Sequence, residues 1–294
     1  MKDSACTASC MGSSPSKRHS VAAGRLRRAA RALLVLASAG AALAAWPGRA
    51  CAQAGGAVPL RIYSIDSKPV GFMDRGRPAG FAVDLAQQIQ QRIGRRDAVQ
   101  IIPWARANTI AMNEANVLLL TVARTPERER RLVFVGPVFV AHVSVFALKG
   151  RGAELRALGD GIYKLRGGAR RGSIFAQRAR DFGYSITDEP VSSEVAARML
   201  MSKRFELWFD GEELVGPALE KAGYARDDAE LVKQLSVDDV YFGFSKGTPP
   251  DTVRAWDAAL RDMKRDGAFL RLHQYWLPPS SLPPDLRVHG KSTP

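Results

Sequence analysis

The sequence predicts an α/β protein built as two successive layers, each an alternation of strands and helices. Short β-rich runs alternate with amphipathic segments of helical period from Leu60 to Thr121. A second alternation of the same kind runs from Ser173 to Ser245. Between them, Val133 to Leu148 reads as one extended segment broken at Gly136-Pro137. It is followed by a flexible crossing at Lys149-Gly150-Arg151-Gly152.

In the first layer, Leu60-Arg61-Ile62-Tyr63-Ser64-Ile65 alternates like a strand. A turn-rich stretch with Pro69, Gly71, Gly76 and Pro78 follows, from Asp66 to Gly80. Phe81 to Ile93 is expected to be helical, because Phe81, Leu85, Ile89 and Ile93 share one face and Gly94 can stop it. Val99 to Ile102 is a strand, Trp104 to Asn113 a helix and Val117 to Thr121 a strand. This order predicts a parallel layer with right-handed crossovers. In the second layer, helices are expected at Ser173–Phe182, Glu194–Met201 and Glu212–Ala222. Strands are expected at Tyr184–Thr187, Phe205–Phe209, Leu231–Leu235 and Val240–Ser245. Pro249-Pro250 opens a helix to Lys264, and Ala268 to Tyr275 forms the last one. The proline-rich tail, 278–294, is expected to be poorly ordered. No internal repeat is visible.

The chain has 294 residues, of which 46% are apolar, enough for one large or two modest domains with a real core. A net charge of +14 suggests a nucleic-acid or membrane partner, but its distribution removes that inference. Arg25, Arg27, Arg28 and Arg31 precede an apolar run from Ala32 to Trp46 and an Ala52-Gln53-Ala54 cleavage signal. That order predicts a secretory leader, too short to span a bilayer as a helix. Residues 1–24 form a polar extension before it, with Met11 as an alternative start. Eight of the 43 basic residues and one of the 29 acidic ones lie within residues 1–54, leaving 35 and 28, or +7. No nucleic-acid partner is expected on this charge. Cys6, Cys10 and Cys51 also lie there, so the mature chain has neither disulfides nor thiol chemistry. A lipoprotein anchor at Cys51 and twin-arginine export through Arg27-Arg28 are open alternatives.

Ligands of open parallel sheets bind beyond the carboxyl ends of the strands. Those ends carry Thr121, Ala123, Arg124 and, just after, Arg128; Trp104 follows the second strand. In the second layer Gly172-Ser173 opens a helix and Asp210 ends a strand. The set suits a small zwitterion. An arginine pairs with a carboxylate, a helix N-terminus donates to the same anion, and an aspartate accepts from an ammonium. Each residue also has a purely structural explanation. Arg128 within Glu127-Arg128-Glu129-Arg130-Arg131 fits a solvated turn, Asp210 and Ser173 fit helix caps, and Trp104 fits the core.

Several motifs in order resemble the bacterial extracellular solute-binding proteins of family 3, the polar amino acid type. They are Pro69-Val70-Gly71-Phe72, Gly80-Phe81-Ala82-Val83-Asp84-Leu85-Ala86, Thr125-Pro126-Glu127-Arg128-Glu129 and Arg170-Arg171-Gly172-Ser173. Tyr241-Phe242-Gly243-Phe244-Ser245-Lys246 and Tyr275-Trp276-Leu277 complete the match over about 58–277. The resemblance implies a two-lobed periplasmic-binding-protein fold of type II, with a two-stranded hinge. Lobe 1 would comprise 58–148 and 239–277, and lobe 2 149–238. It implies Arg128 as the carboxylate clamp, with Thr121, Ala123, Arg124 and Trp104 beside it. Gly172 and Ser173 would complete the carboxylate site, and Asp210 would receive the ammonium. It further implies a periplasmic monomer that captures an amino acid or another small carboxylate and delivers it to an ABC permease in the inner membrane, without cofactor or metal. Ala82, Asn116, Leu119-Leu120 and Ala123 depart from the family pattern, and Trp104-Ala105-Arg106 resembles a W-x-R element of one branch.

Two alternatives stay open. The first is an enzyme of the same fold, dehydratase-like on a small carboxylate, with Glu212 or Glu213 beside Asp210 as candidate acids. There is no Ser-His-Asp order, metal-ligand spacing, phosphate loop or dinucleotide fingerprint. The second is a sensor or binder that feeds no transporter.

Overall fold

The computed structural model describes residues 58–287. The leader read at 25–54, Cys51 and the last residues of the tail lie outside them. The described elements are, in order, β1 (Arg61–Ser64), β2 (Phe72–Asp74), β3 (Arg77–Ala79), α1 (Phe81–Arg92), β4 (Val99–Ile101), α2 (Trp104–Asn113), β5 (Val117–Ala123) and α3 (Pro126–Glu129). They continue with β6 (Leu132–Leu148), α4 (Gly152–Ala157), β7 (Gly167–Ala169), α5 (Ile174–Asp181), β8 (Ile186–Asp188), α6 (Ser193–Met201) and β9 (Leu207–Gly211). The last are α7 (Glu212–Ala222), β10 (Ala229–Ser245), α8 (Pro250–Arg265), α9 (Ala268–Trp276) and α10 (Pro284–Arg287).

Two strands of 17 residues each, β6 and β10, organise everything else. They run antiparallel from Leu132↔Ser245 to Leu148↔Ala229, with register shifts along the way. The order across the sheet is β4-β1-β5-β10-β6-β9-β7-β8. At one end of the strand pair, β5 joins β10 antiparallel and carries β1 and β4 in parallel. At the other end, β9 joins β6 antiparallel and carries β7 and β8 in parallel. Two α/β lobes therefore hang from one shared ribbon. The expected parallel layers are correct away from the ribbon, which makes the sheet mixed. Leu231–Leu235 and Val240–Ser245 are not two strands but parts of β10, and β6 continues through Gly136-Pro137.

The hydrophobic pattern explains the packing. α1 buries Phe81, Leu85 and Ile89, and the Phe81 ring meets Phe139 and Phe269 edge-on at 6.1 and 5.9 Å. α2 lays Trp104, Ala107 and Ala111 against Tyr63, Leu119 and Val122. In the second lobe Ala196, Leu200, Phe205, Trp208 and Leu219 form their own cluster. Asp84 accepts from the Trp276 indole at 2.9 Å, a structural role. Among the described residues no helix is long and apolar enough to cross a membrane.

Two further expectations differ from the structure. The turn-rich stretch contains a hairpin, β2–β3, turning at Arg75 and Gly76, both at positive φ. The tail does not leave the body at Pro278. Pro279–Ser281 forms a 3-10 turn, Ser281 is fully buried, Leu282 and Leu286 pack on the core, and Asp285 pairs with Lys264 at 2.6 Å. Prolines at helix starts promote such turns as readily as they disrupt long helices.

Close packing makes one strand intolerant of side chains. A Cβ on Gly168 of β7 would lie 2.1 Å from the buried Phe205 ring. Gly168→Ala is expected to lower stability by about 1–3 kcal/mol, the usual cost of overpacking. An unchanged denaturation midpoint would show that the ring can move away.

Candidate functional site

The carboxyl ends of the strands in both lobes converge on a cavity of about 60 Å³ floored by the ribbon. The first lobe contributes Ile65 after β1, Trp104 after β4, Thr121 and Ala123 of β5, and Arg128. The second contributes Arg170 after β7, Ser173, Ile174 and Phe175 at the start of α5, and Glu213 and Leu214 after β9. Phe139, Ala141 and Val240 form the floor.

Arg128 is placed by a short helical turn. Thr125 caps α3, accepting from the Arg128 amide at 3.4 Å, and Pro126 occupies the first position. Arg128 is 6% exposed. It donates to the Ala123 carbonyl at 2.9 Å and, across the gap, to the Gly172 carbonyl at 3.2 Å. It also sits over the Trp104 ring, 5.1 Å from the centroid. Among the described residues no carboxylate lies within ion-pair distance of it. Burial lowers its pKa to about 10, with Glu127 opposing, so it remains charged at neutral pH.

Gly172 adopts φ of 65°, a conformation that a glycine reaches without strain. That twist leaves its carbonyl facing the first lobe, where the Trp104 indole donates to it at 2.8 Å. Ser173 caps α5: its hydroxyl donates to Arg170 O at 2.6 Å and accepts from the Ala176 amide at 3.2 Å. The next two amides, of Ile174 and Phe175, belong to the first turn, which has no intrahelical acceptor. Both residues line the cavity. At the rim, Lys221 of α7 meets Asp66 of the first lobe at 2.7 Å.

The second lobe is arranged differently from the expectation. Asp210 is fully buried but does not line the cavity. Its Oδ1 accepts from Arg170 Nη2 at 3.3 Å and the Gly211 amide at 2.9 Å. Its Oδ2 accepts from Ser193 Oγ at 2.6 Å and Trp208 Nε1 at 3.2 Å. Arg124 is also outside. It pairs with Glu129 on the surface and packs near Phe134 and Tyr241. Thus Arg128, Trp104, Thr121, Ala123 and Ser173 come together, Gly172 supplies a carbonyl at their edge, and Asp210 and Arg124 do not face the cavity.

Two cavity residues stood outside the expected binding set: Arg170 was read only as part of a motif, and Glu213 only as a candidate acid of the enzyme alternative. Arg170 is 3% exposed, and its Nε has no hydrogen-bond partner among the described residues. In the sequence it reads as one of two arginines in a turn. Glu213 is partly buried, and burial pushes its carboxyl up to about 8, with further contributions from Asp210 and Glu212. Its spacing of three from Asp210 was the available signal. Among the described residues no group of three His, Cys, Asp or Glu is placed to hold a metal.

A cavity between two α/β lobes on a shared ribbon defines the class: a two-lobed periplasmic-binding-protein fold. The model of the bacterial extracellular solute-binding proteins, family 3, matches residues 61–279, and the chain belongs to that family. Similar solved structures include an ancestral arginine-binding protein bound to arginine, with TM-score 0.64 and 21% identity over 75% of this chain and 98% of that one. A putative L-cystine ABC transporter protein from Listeria monocytogenes has TM-score 0.66 and 18% identity over 77% and 99%. A histidine kinase sensor domain with similarity to periplasmic binding proteins has TM-score 0.66 and 16% identity over 76% and 98%. A search of curated proteins finds no match.

Two outcomes follow from the second-lobe cluster. Asp210→Ala strands the buried Arg170 guanidinium and is expected to cost about 3–5 kcal/mol of stability; an unaltered urea midpoint would contradict it. Glu213 holds a proton when folded that it loses above its ordinary 4.5 when unfolded. Its contribution to stability therefore falls as pH rises from about 4.5 through about 8. Glu213→Gln should flatten the melting temperature over that window; identical pH profiles would refute the shift.

Proposed function

We propose that this protein captures a small carboxylate-bearing solute, the class that includes amino acids, between its lobes in the periplasm and delivers it to an ABC importer. The observation that carries this is Arg128, a buried guanidinium at the interlobe cavity that meets only backbone carbonyls and an aromatic face. A carboxylate can take a bidentate pair from such a fork. The uncapped amides at the start of α5 supply donors from the other lobe. A solute bridging both stabilises the closed arrangement in proportion to its preference for it. On this reading the bond from Arg128 to Gly172 is exchanged for the solute when the lobes part and close again.

The expected leader at 25–54 and the family support export, and delivery to a permease in the inner membrane follows the family's usual partnership. The neighbours named for arginine and cystine favour an amino acid or a molecule of that size. The protein acts as a monomer without cofactor.

A second reading, an eliminating enzyme of the dehydratase kind, is favoured by one observation: Glu213 holds a proton near neutral pH inside the cavity. Another solved structure with TM-score 0.61 is an ancestral amino acid-binding precursor of cyclohexadienyl dehydratase. Incubating candidate acids with the protein and following them by NMR separates the two readings.

The binding reading is tested by a thermal-shift screen of amino acids and small carboxylates, followed by calorimetry on the hit. A ligand at a hundred times its Kd adds about 2.7 kcal/mol. Arg128→Ala is expected to raise that Kd about 30-fold or more. Unchanged affinity would remove Arg128 from the site.

A further inference from the structure

We infer that the second-lobe pole of the cavity receives an acid group, so that the solute is a compact dicarboxylate lacking a cationic centre. This rests on the reading of Arg128 as the clamp for the first carboxylate, and it concerns only the opposite end of the solute.

Asp210 is the residue from which an ammonium site would be expected, and it is saturated. A carboxylate offers about four lone-pair positions. Here two donors reach each oxygen, and the group is sealed from solvent. A solute ammonium would have to displace Arg170, Ser193, Trp208 or the Gly211 amide to reach it.

Arg170 stands between Asp210 and the cavity. Its Nη2 is used by Ser193 at 3.0 Å and Asp210 at 3.3 Å, and its plane lies over Phe175, 5.4 Å from the ring centroid. Those three contacts hold the guanidinium fixed. The Nε is buried and unpaired, and the residue lines the cavity. Its charge is partnered by Asp210, but its spare Nε–H is a donor that suits an oxyanion, and a guanidinium has no acceptor to offer an ammonium.

Glu213 completes the pole. It lines the same wall and makes no ion pair among the described residues. With its pKa near 8 the carboxyl retains its proton at neutral pH and can donate to a second oxyanion. Between the two poles the walls are apolar: Ile65, Val70, Phe139, Phe175 and Leu214. A hydrocarbon segment joining two acids matches that sequence of surfaces, and the small free volume calls for a short one.

Calorimetry on the intact mature chain with malonate, succinate, glutarate and adipate, each against its half-amide, tests this. One diacid is expected to bind about tenfold or more tightly than its half-amide, the worth of a charge-assisted hydrogen bond. Arg170→Gln should bring that ratio towards one. The wild-type ratio needs no variant, so the test survives if Arg170→Gln does not fold. A half-amide that equals its diacid, a neutral amino acid that outbinds every diacid, or the absence of diacid binding would overturn the inference. Arg128→Ala separates the two claims. If it abolishes binding of a preferred neutral amino acid, the clamp stands and the acid-receiving pole falls. If it leaves diacid binding unaltered, the clamp itself falls.

Discussion

The arrangement of this protein depends on a buried arginine whose charge is met by backbone carbonyls and an indole face. Desolvating a guanidinium is costly, and dipoles compensate it less fully than an ion pair does. Arg128 is nonetheless held in place, by a threonine cap behind it, the end of β5 beneath it and an indole face beside it. One of its acceptors belongs to the other lobe. On the proposed function the same group joins the lobes and is available to an anion that arrives between them. A shift of the lobes from mostly open to mostly closed requires roughly 5.5 kcal/mol of preference from a ligand. A buried cation lacking a counter-ion is a direct source of such preference.

The ribbon makes that coupling possible. Because β6 and β10 each belong to both lobes, the strand ends of both sheets face one another over the middle of the pair. Contacts across the gap include two donors to a single carbonyl and one exposed ion pair at the rim. Exposed pairs of that kind contribute about 0–1 kcal/mol. One apolar core runs from α1, α8 and α9 through the ribbon to α5 and β9 of the second lobe, and a separate one lies under α6 and α7.

The second lobe shows how a familiar position changes meaning with its neighbour. An aspartate at the end of β9 matches the family's ammonium acceptor, but an arginine at the end of the adjacent strand reaches it first. Once paired, Asp210 becomes a support for Arg170, and it is Arg170 that lines the cavity. Glu213, one helical turn further on, is the acid that lines the cavity, and burial raises its carboxyl to about 8.

Much of the fold was legible in the chain. The four-residue recurrence of Phe81, Leu85 and Ile89 specified α1 and its buried face, and alternation specified β1, because local periodicity reflects which side must leave water. Arg128 was named from its place after β5 and from the Thr125-Pro126-Glu127-Arg128-Glu129 motif, whereas the Thr125 cap that sets its direction came from the structure. The joining of Leu231–Leu235 to Val240–Ser245 into one strand was not legible, since its pairing partner lies about ninety residues earlier and polar residues between them mask the pattern. Neither was the packing of Leu282 and Leu286, whose prolines read as disorder until a core was present to receive them. What the sequence alone determined was the rhythm of elements and the residue types at the strand ends. Which of those residues face the cavity, and with what charge, was decided by the meeting of β7 with β9 and of one lobe with the other. Pairing between ionic groups depends on distances in space, and those distances exist only after the chain has folded.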